Sequence, residues 1–228
     1  MSKNTFGGIN GTQVNKVGSV VGYKFRGEQV YRGYQKKVAN PRTTAQMLNR
    51  ARFGSLSSFL REVSVPINWG YEKVAKGTKW SPRNFAYRTN YPVVFPGSTD
   101  EVDLTRVIMS KGNLLNPQLG EADFSTARNV RIPITSSPYA AATNALIDFV
   151  IVVYAPELKE VVVGTSNLAT DVQGLSANVS VPASFTGQTV LVWAFIRARQ
   201  SDIEDPTYGL IEKLSVSDSV FLDAGEIS

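Results

Sequence analysis

From about residue 129 onward, runs of β-branched and aromatic residues follow one another with no helical period between them. They cover residues 130–135, 145–154, 160–163, 174–181, 189–197 and 216–222. Turn signals separate them at Ser137-Pro138, Pro156-Glu157, Thr165-Ser166-Asn167 and Thr186-Gly187. Short strands at this spacing, with no room for crossover helices, pair antiparallel. They predict a sandwich of immunoglobulin or fibronectin type. Trp193, in the middle of its run, is the expected core aromatic.

One helix is expected upstream. Pro41 biases Asn40 towards an extended backbone, and Thr43 stands three residues before Gln46, the spacing of a capping box. Met47, Leu48, Ala51, Leu56, Phe59, Leu60 and Val63 then recur at three- and four-residue intervals, which makes one face apolar. No other stretch carries so long an amphipathic pattern. A shorter helix is predicted from Pro82 to about Asn90, with Pro at its first position. Val65 to Tyr71 reads as a connection, and alternation around Val102, Leu104, Val107 and Met109 predicts a strand over 101–109.

Before the long helix, glycines at 18, 22, 27 and 33 punctuate short strand-like runs at 17–23, 24–25 and 29–34, with a hairpin turn at Arg26-Gly27-Glu28. A glycine-rich phosphate loop is the alternative reading of these glycines, but no Gly-Lys-Ser/Thr ending occurs and no helix pattern follows for twenty residues, so turn glycines are the better account. The chain as a whole is expected to be mainly β (α+β). Glycine-punctuated N-terminal strands would pack on one long amphipathic helix, followed by the sandwich. The expected domains are a basic α+β domain over 1–125 and an acidic sandwich over 126–228.

Charge follows the same division. Residues 1–91 hold 16 Lys+Arg against 3 Asp+Glu, a net of +13, and residues 92–228 hold 8 against 16, a net of −8, within a chain of +5. Such asymmetry suits either nucleic-acid binding by the basic half or electrostatic complementarity between neighbouring copies. Trp69, Tyr71, Trp80, Phe85, Tyr87 and Tyr91, interleaved with Lys73, Lys76, Lys79, Arg83 and Arg88, could stack bases. Equally, those rings could pack on the long helix while the cations reach outwards. Candidate subunit-interface residues are Arg26, Lys36, Lys37, Arg42, Arg50 and Arg52.

Composition narrows the chemistry. With no Cys and no His, disulfides, thiolate nucleophiles, Cys or His metal sites and His-based triads are excluded. The carboxylates are scattered, with no pair placed as a glycosidase requires. Asp202-Ile203-Glu204-Asp205 lacks the glycine and terminal Glu of a calcium loop. The expectation is therefore no catalytic residue, no cofactor, no metal, no small-molecule substrate and no membrane span. The first residues lack an apolar secretory core, so synthesis in a cytoplasm is expected.

Several motifs read together resemble a known family. Gly18-Ser19-Val20-Val21-Gly22, Gln29-Val30-Tyr31-Arg32-Gly33, Asn40-Pro41-Arg42-Thr43-Thr44-Ala45-Gln46, Arg50-Ala51-Arg52-Phe53, Ser110-Lys111-Gly112 and Leu214-Ser215-Val216-Ser217-Asp218-Ser219-Val220-Phe221 resemble a family of uncharacterised proteins from Bacteroidota and their phages. The Asn-Pro-Arg-Thr-x-Ala-Gln segment is its most specific element. Members with a known place are virion proteins of crAss-like phages, stacked as rings around the portal and tail barrel. The resemblance implies a structural, non-catalytic ring protein in the virion tail, made in the host cytoplasm. Its partners would be copies of itself and other tail and portal proteins. Nucleic-acid binding by the basic half is the alternative, and an adhesion module in the sandwich is a third reading.

Overall fold

The structure is a computed structural model describing residues 15–36, 42–138, 147–167, 176–198, 203–205, 209–211 and 215–228. The chain divides by its contacts into two compact units, Met1–Gln46 and Met47–Ser228.

In the first unit, β1 (Asn15–Val17), β2 (Val20–Phe25) and β3 (Glu28–Gly33) form an antiparallel meander. The expected hairpin turn is Arg26-Gly27, with φ of 51° and 84°. Positive φ at both central residues is what a two-residue turn needs to match the twist of its strands. Phe25 pairs with Glu28 and Val20 with Gly33. Among the described residues of these strands only Gly22 is buried.

The second unit is layered. Its central sheet has the order β12 (Val220–Glu226), β9 (Thr189–Ala198), β6 (Ile147–Ala155), β7 (Glu160–Asn167). A smaller sheet joins β4 (Gln118–Leu119), β5 (Asn129–Ser136) and β8 (Ser176–Ser180). β10 (Ile203–Asp205) and β11 (Gly209–Ile211) pair as a separate hairpin. Among the described residues every strand pair is antiparallel, and the C-terminal part is a β-sandwich, as the spacing of the runs predicted. β7 runs through Thr165-Ser166-Asn167, where a turn was expected.

Alternation sorts the side chains of β6 and β9 between two cores. Phe149, Ile151 and Val153 of β6, with Val192, Ala194 and Ile196 of β9, meet Val130, Ile132, Ala177 and Val179 of the small sheet. Val150, Val152 and Tyr154, with Leu191, Trp193 and Phe195, face the other way, into a core built with helices. A strand buried on both faces reads as an unbroken apolar run, and β6 is buried at every position. Trp193 is fully buried, but on the helix side of the sheet rather than between the sheets.

Three helices cover that second face. In α1 (Thr44–Glu62) only Leu56, Phe59 and Leu60 are fully buried, and Met47 at its start is 56% exposed. The Thr43 hydroxyl accepts from the Gln46 N–H at 3.4 Å, as the capping signal predicted. The chain bends at Val63 and re-enters a helix, α2 (Ser64–Ala75), where a connection was expected. Pro66 and Gly70 masked it. Pro66 lies in the first turn, where no N–H is needed, and Gly70 lies where a Cβ would overlap the Met109 carbonyl and Ser110. Ile67, Tyr71 and Ala75, four residues apart, are its buried stripe. The third helix, α3 (Pro82–Asn90), has Ser81 as its cap, accepting from Asn84 N at 3.3 Å. The helices and the large sheet therefore share one core, and the division expected after residue 125 does not coincide with the contacts. Among the described residues both cores are built from the second unit.

Residues 101–109 do not form the expected strand. Leu104–Arg106 is a 3-10 turn capped by Asp103, and the following residues are extended without a ladder. Side chains take the ladder's place, as described next.

Candidate functional site

The polar residues of two motifs, Ser110-Lys111-Gly112 and the segment entering β12, meet at one seam. The segment 108–116 runs between α2, α3 and the chain entering β12, and its backbone groups find partners in side chains. Asn90, fully buried, accepts from Ile108 N (2.7 Å) and donates to Ile108 O (3.0 Å) and Ala86 O (2.9 Å). Ser219 Oγ accepts from Met109 N at 2.7 Å, and Ser110 Oγ donates to Ser217 O at 2.7 Å. Asp218 Oδ1 accepts from Gly112 N at 2.9 Å. Ser217 Oγ accepts from Ile196 N at 2.8 Å, which ties the seam to β9. Gly112 has to be glycine for steric reasons, since a Cβ there would overlap the Val216 backbone.

Ser110-Lys111-Gly112 and residues 215–221 of the closing motif thus meet each other, a hundred residues apart in sequence. Buried backbone groups need partners, and the serines supply them where no strand can. Lys73 extends the seam by donating to Ser215 Oγ at 2.9 Å. Glu72 of the same helix pairs with Arg197 Nη2 at 3.2 Å, while the Arg197 guanidinium lies 5.0 Å from the Trp69 ring centroid. These groups brace one another.

A second feature is a groove of roughly 880 Å³ between α1 and α3, lined by Phe53, Trp80, Arg83, Tyr87, Arg88 and Tyr91 among others. Its rings form a ladder, Phe53 to Tyr87 at 5.1 Å and Tyr87 to Tyr91 at 5.4 Å, which Tyr91 continues to the core ring Phe95 at 5.5 Å. Phe53 and Trp80 remain 58% and 54% exposed. Arg83 donates to Ser57 O and so ties the two helices together. Of the expected aromatic cluster, Tyr71 is core, donating to Ile108 O at 3.0 Å. Trp69, Phe85, Tyr87 and Tyr91 are half-buried, and Trp80 faces solvent.

The six candidate interface cations fall in two units. Arg26, Lys36 and Arg42 are exposed residues of the first unit, while Lys37 lies outside the described residues. Arg50 is on the exposed side of α1. Arg52 is a brace. Its Nε donates to Thr99 O at 2.8 Å and its Nη2 to Gly97 O at 2.7 Å, with the guanidinium 5.2 Å from the Phe95 ring centroid.

Burial pushes the Tyr71 and Tyr154 hydroxyls well above the usual tyrosine range. For Tyr154 the hydrogen bond to Glu62 Oε2, at 2.5 Å, adds to that shift. Ser125 holds the Asp123 carboxyl below its ordinary value through hydrogen bonds. Among the described residues no cluster of three or more acidic side chains is placed to hold a metal ion. None of their helices is long and apolar enough to cross a membrane. Of the acidic run at 202–205, Asp202 lies outside the described residues, and the other three residues form β10.

Residues 10–208 match a family model described only as a family of unknown function, DUF6266. The chain belongs to the DUF6266 family. No curated protein matches this DUF6266 chain. Among solved structures it is similar to the chicken interferon gamma receptor alpha chain, at 13% identity and a TM-score of 0.34. That similarity covers 49% of this chain and 50% of the receptor chain, so it spans about half of the receptor chain's length.

Proposed function

We propose that this DUF6266 protein is a structural, non-catalytic subunit that assembles head to tail into a ring. Its place would be the tail and portal-connector region of a crAss-like phage virion, as the motif resemblance implies. The observation that carries the reading is the use of the motif side chains. Ser110, Ser217, Asp218 and Ser219 clasp a seam, and Arg52 ties a helix to the loop at 97–99. Sequence signatures that serve rigidity suit a part whose task is to hold shape.

Charge supports the same reading. Residues 1–46 hold 8 Lys+Arg and 1 Asp+Glu, a net of +7, while residues 47–228 hold 16 and 18, a net of −2. A ring needs two different surfaces on each subunit, and opposite charge sets register between them more than it adds affinity. Its partners are then copies of itself and other tail and portal proteins. The chain would be made in the host cytoplasm and end in the virion. Electron microscopy and mass measurement of the purified protein, alone and with particles, test this. Rings of fixed subunit number that co-sediment with virions are expected. A strict monomer that never co-sediments removes the reading.

The groove favours a second reading, nucleic-acid binding. Exposed Trp80 beside Arg83 and Arg88 offers a stacking ring and cations. Such binding would weaken steeply with salt, because phosphate contacts release counterions. No mobility shift with single-stranded DNA or RNA at low salt disposes of it.

A further inference from the structure

A small sheet is stable in water when it has a hydrophobic face or an element to pack on. Among the described residues of the meander Tyr23, Phe25, Tyr31 and Tyr34 are 39%, 54%, 51% and 41% exposed. Register sorts them. Val21, Tyr23 and Phe25 of β2 share a face with their cross-strand partners Arg32, Val30 and Glu28. On that face the Arg32 guanidinium lies 6.0 Å from the Tyr23 ring centroid. The Lys16 ammonium lies 3.7 Å from the ring centroid of Tyr34. A hollow of roughly 520 Å³ opens beside Val21, Arg32 and Tyr34. Rings with cations laid over them fit an anionic surface that also offers apolar contact.

The chain itself carries such a surface. Among the described residues β12 is an edge strand, paired with β9, so its outer backbone groups, apart from the Ala224 N–H that the Asp223 carboxylate holds at 2.7 Å, can take another chain. Residues 215–228 contain Asp218, Asp223 and Glu226 and no Lys or Arg. Val220 there is 37% exposed.

We infer that the β1–β3 sheet is an assembly arm whose Tyr23/Phe25 face docks on the acidic β12 edge of a second copy. The inference rests on the ring reading and adds its contact. Arm and edge are different surfaces, so each subunit gives one and receives one. That is the heterologous geometry which closes a ring.

The test uses the full chain with benzoylphenylalanine in place of Phe25, mixed from ¹⁵N-labelled and unlabelled copies and irradiated. Expected are mixed-isotope cross-links that map to residues 215–228. Their yield should fall several-fold between about 50 and about 500 mM salt, as charges become screened. Full-length Tyr23→Ser/Phe25→Ser should lose assembly with an unchanged melting temperature, and Glu226→Lys should reduce the cross-link. Cross-links confined to one isotope overturn the inference, as do cross-links that map elsewhere or a double variant that assembles like the parent. In those cases rings that still form leave the ring reading standing, whereas a strictly monomeric parent removes both.

Discussion

Arg50 and Arg52 lie two positions apart in one helix and have different duties. Arg52 makes two hydrogen bonds to carbonyls at 97 and 99, and charged donors of this kind contribute about 1.5–3 kcal/mol each way they are lost. Arg52→Ala should therefore lower stability by about 1–3 kcal/mol in denaturant titration. For exposed Arg50, loss of assembly in Arg50→Ala with unchanged stability reports an interface. Ser217→Ala should cost about 1–3 kcal/mol, because it orphans the buried Ile196 N–H. Tyr71 and Tyr154 set an alkaline limit. Their folded values lie above the ordinary 10.0, so the unfolded chain releases those protons first. The stability these two groups contribute is whole below pH 10 and is lost progressively as pH rises from there towards their raised folded values. Tyr154→Phe should flatten that alkaline fall in melting temperature.

Among the elements, the glycines of α1 and α2 make opposite predictions. At Gly70 a Cβ would overlap Met109 and Ser110, whereas at Gly54 nothing lies within 4 Å. Gly70→Ala should cost about 1–3 kcal/mol or more by overpacking. Gly54→Ala, mid-helix and exposed, should gain about 0.5–1 kcal/mol. Thermal melts of the two variants decide this. The same glycine explains why α2 was not legible. Its Ile67, Tyr71, Ala75 stripe is helical in period, but Pro66 and Gly70 read as breakers until the close approach to 109–110 is known. The six strand runs of the sandwich were legible because burial on one or both faces is written directly into alternation or into an unbroken apolar run. The strand expected at 101–109 failed for a related reason. Alternating burial of Val107 and Met109 is present, but the backbone partners are Asn90 and Ser219 rather than a neighbouring strand.

For the whole molecule, the large sheet is the common wall of two cores, and Trp193 fills the helix-side one, 5.6 Å from Phe221 edge to face. Trp193→Ala should destabilise the helices and sheet together, by about 3–5 kcal/mol, in a single cooperative transition from Met47 to Ser228. A separate early transition of the helices would contradict the shared core. The sequence by itself determined the antiparallel sandwich, the starts of α1 and α3 and the Arg26-Gly27 turn, since these depend on local patterning, capping and backbone sign. It also showed that basic and acidic residues are segregated. Only the tertiary structure decided that the helices and the sandwich form one body after Gln46, that Trp193 faces the helices, and that serines a hundred residues apart form one seam. Those outcomes depend on which face meets which and on where a buried N–H finds its acceptor. Neither is carried by the spacing of residues along the chain.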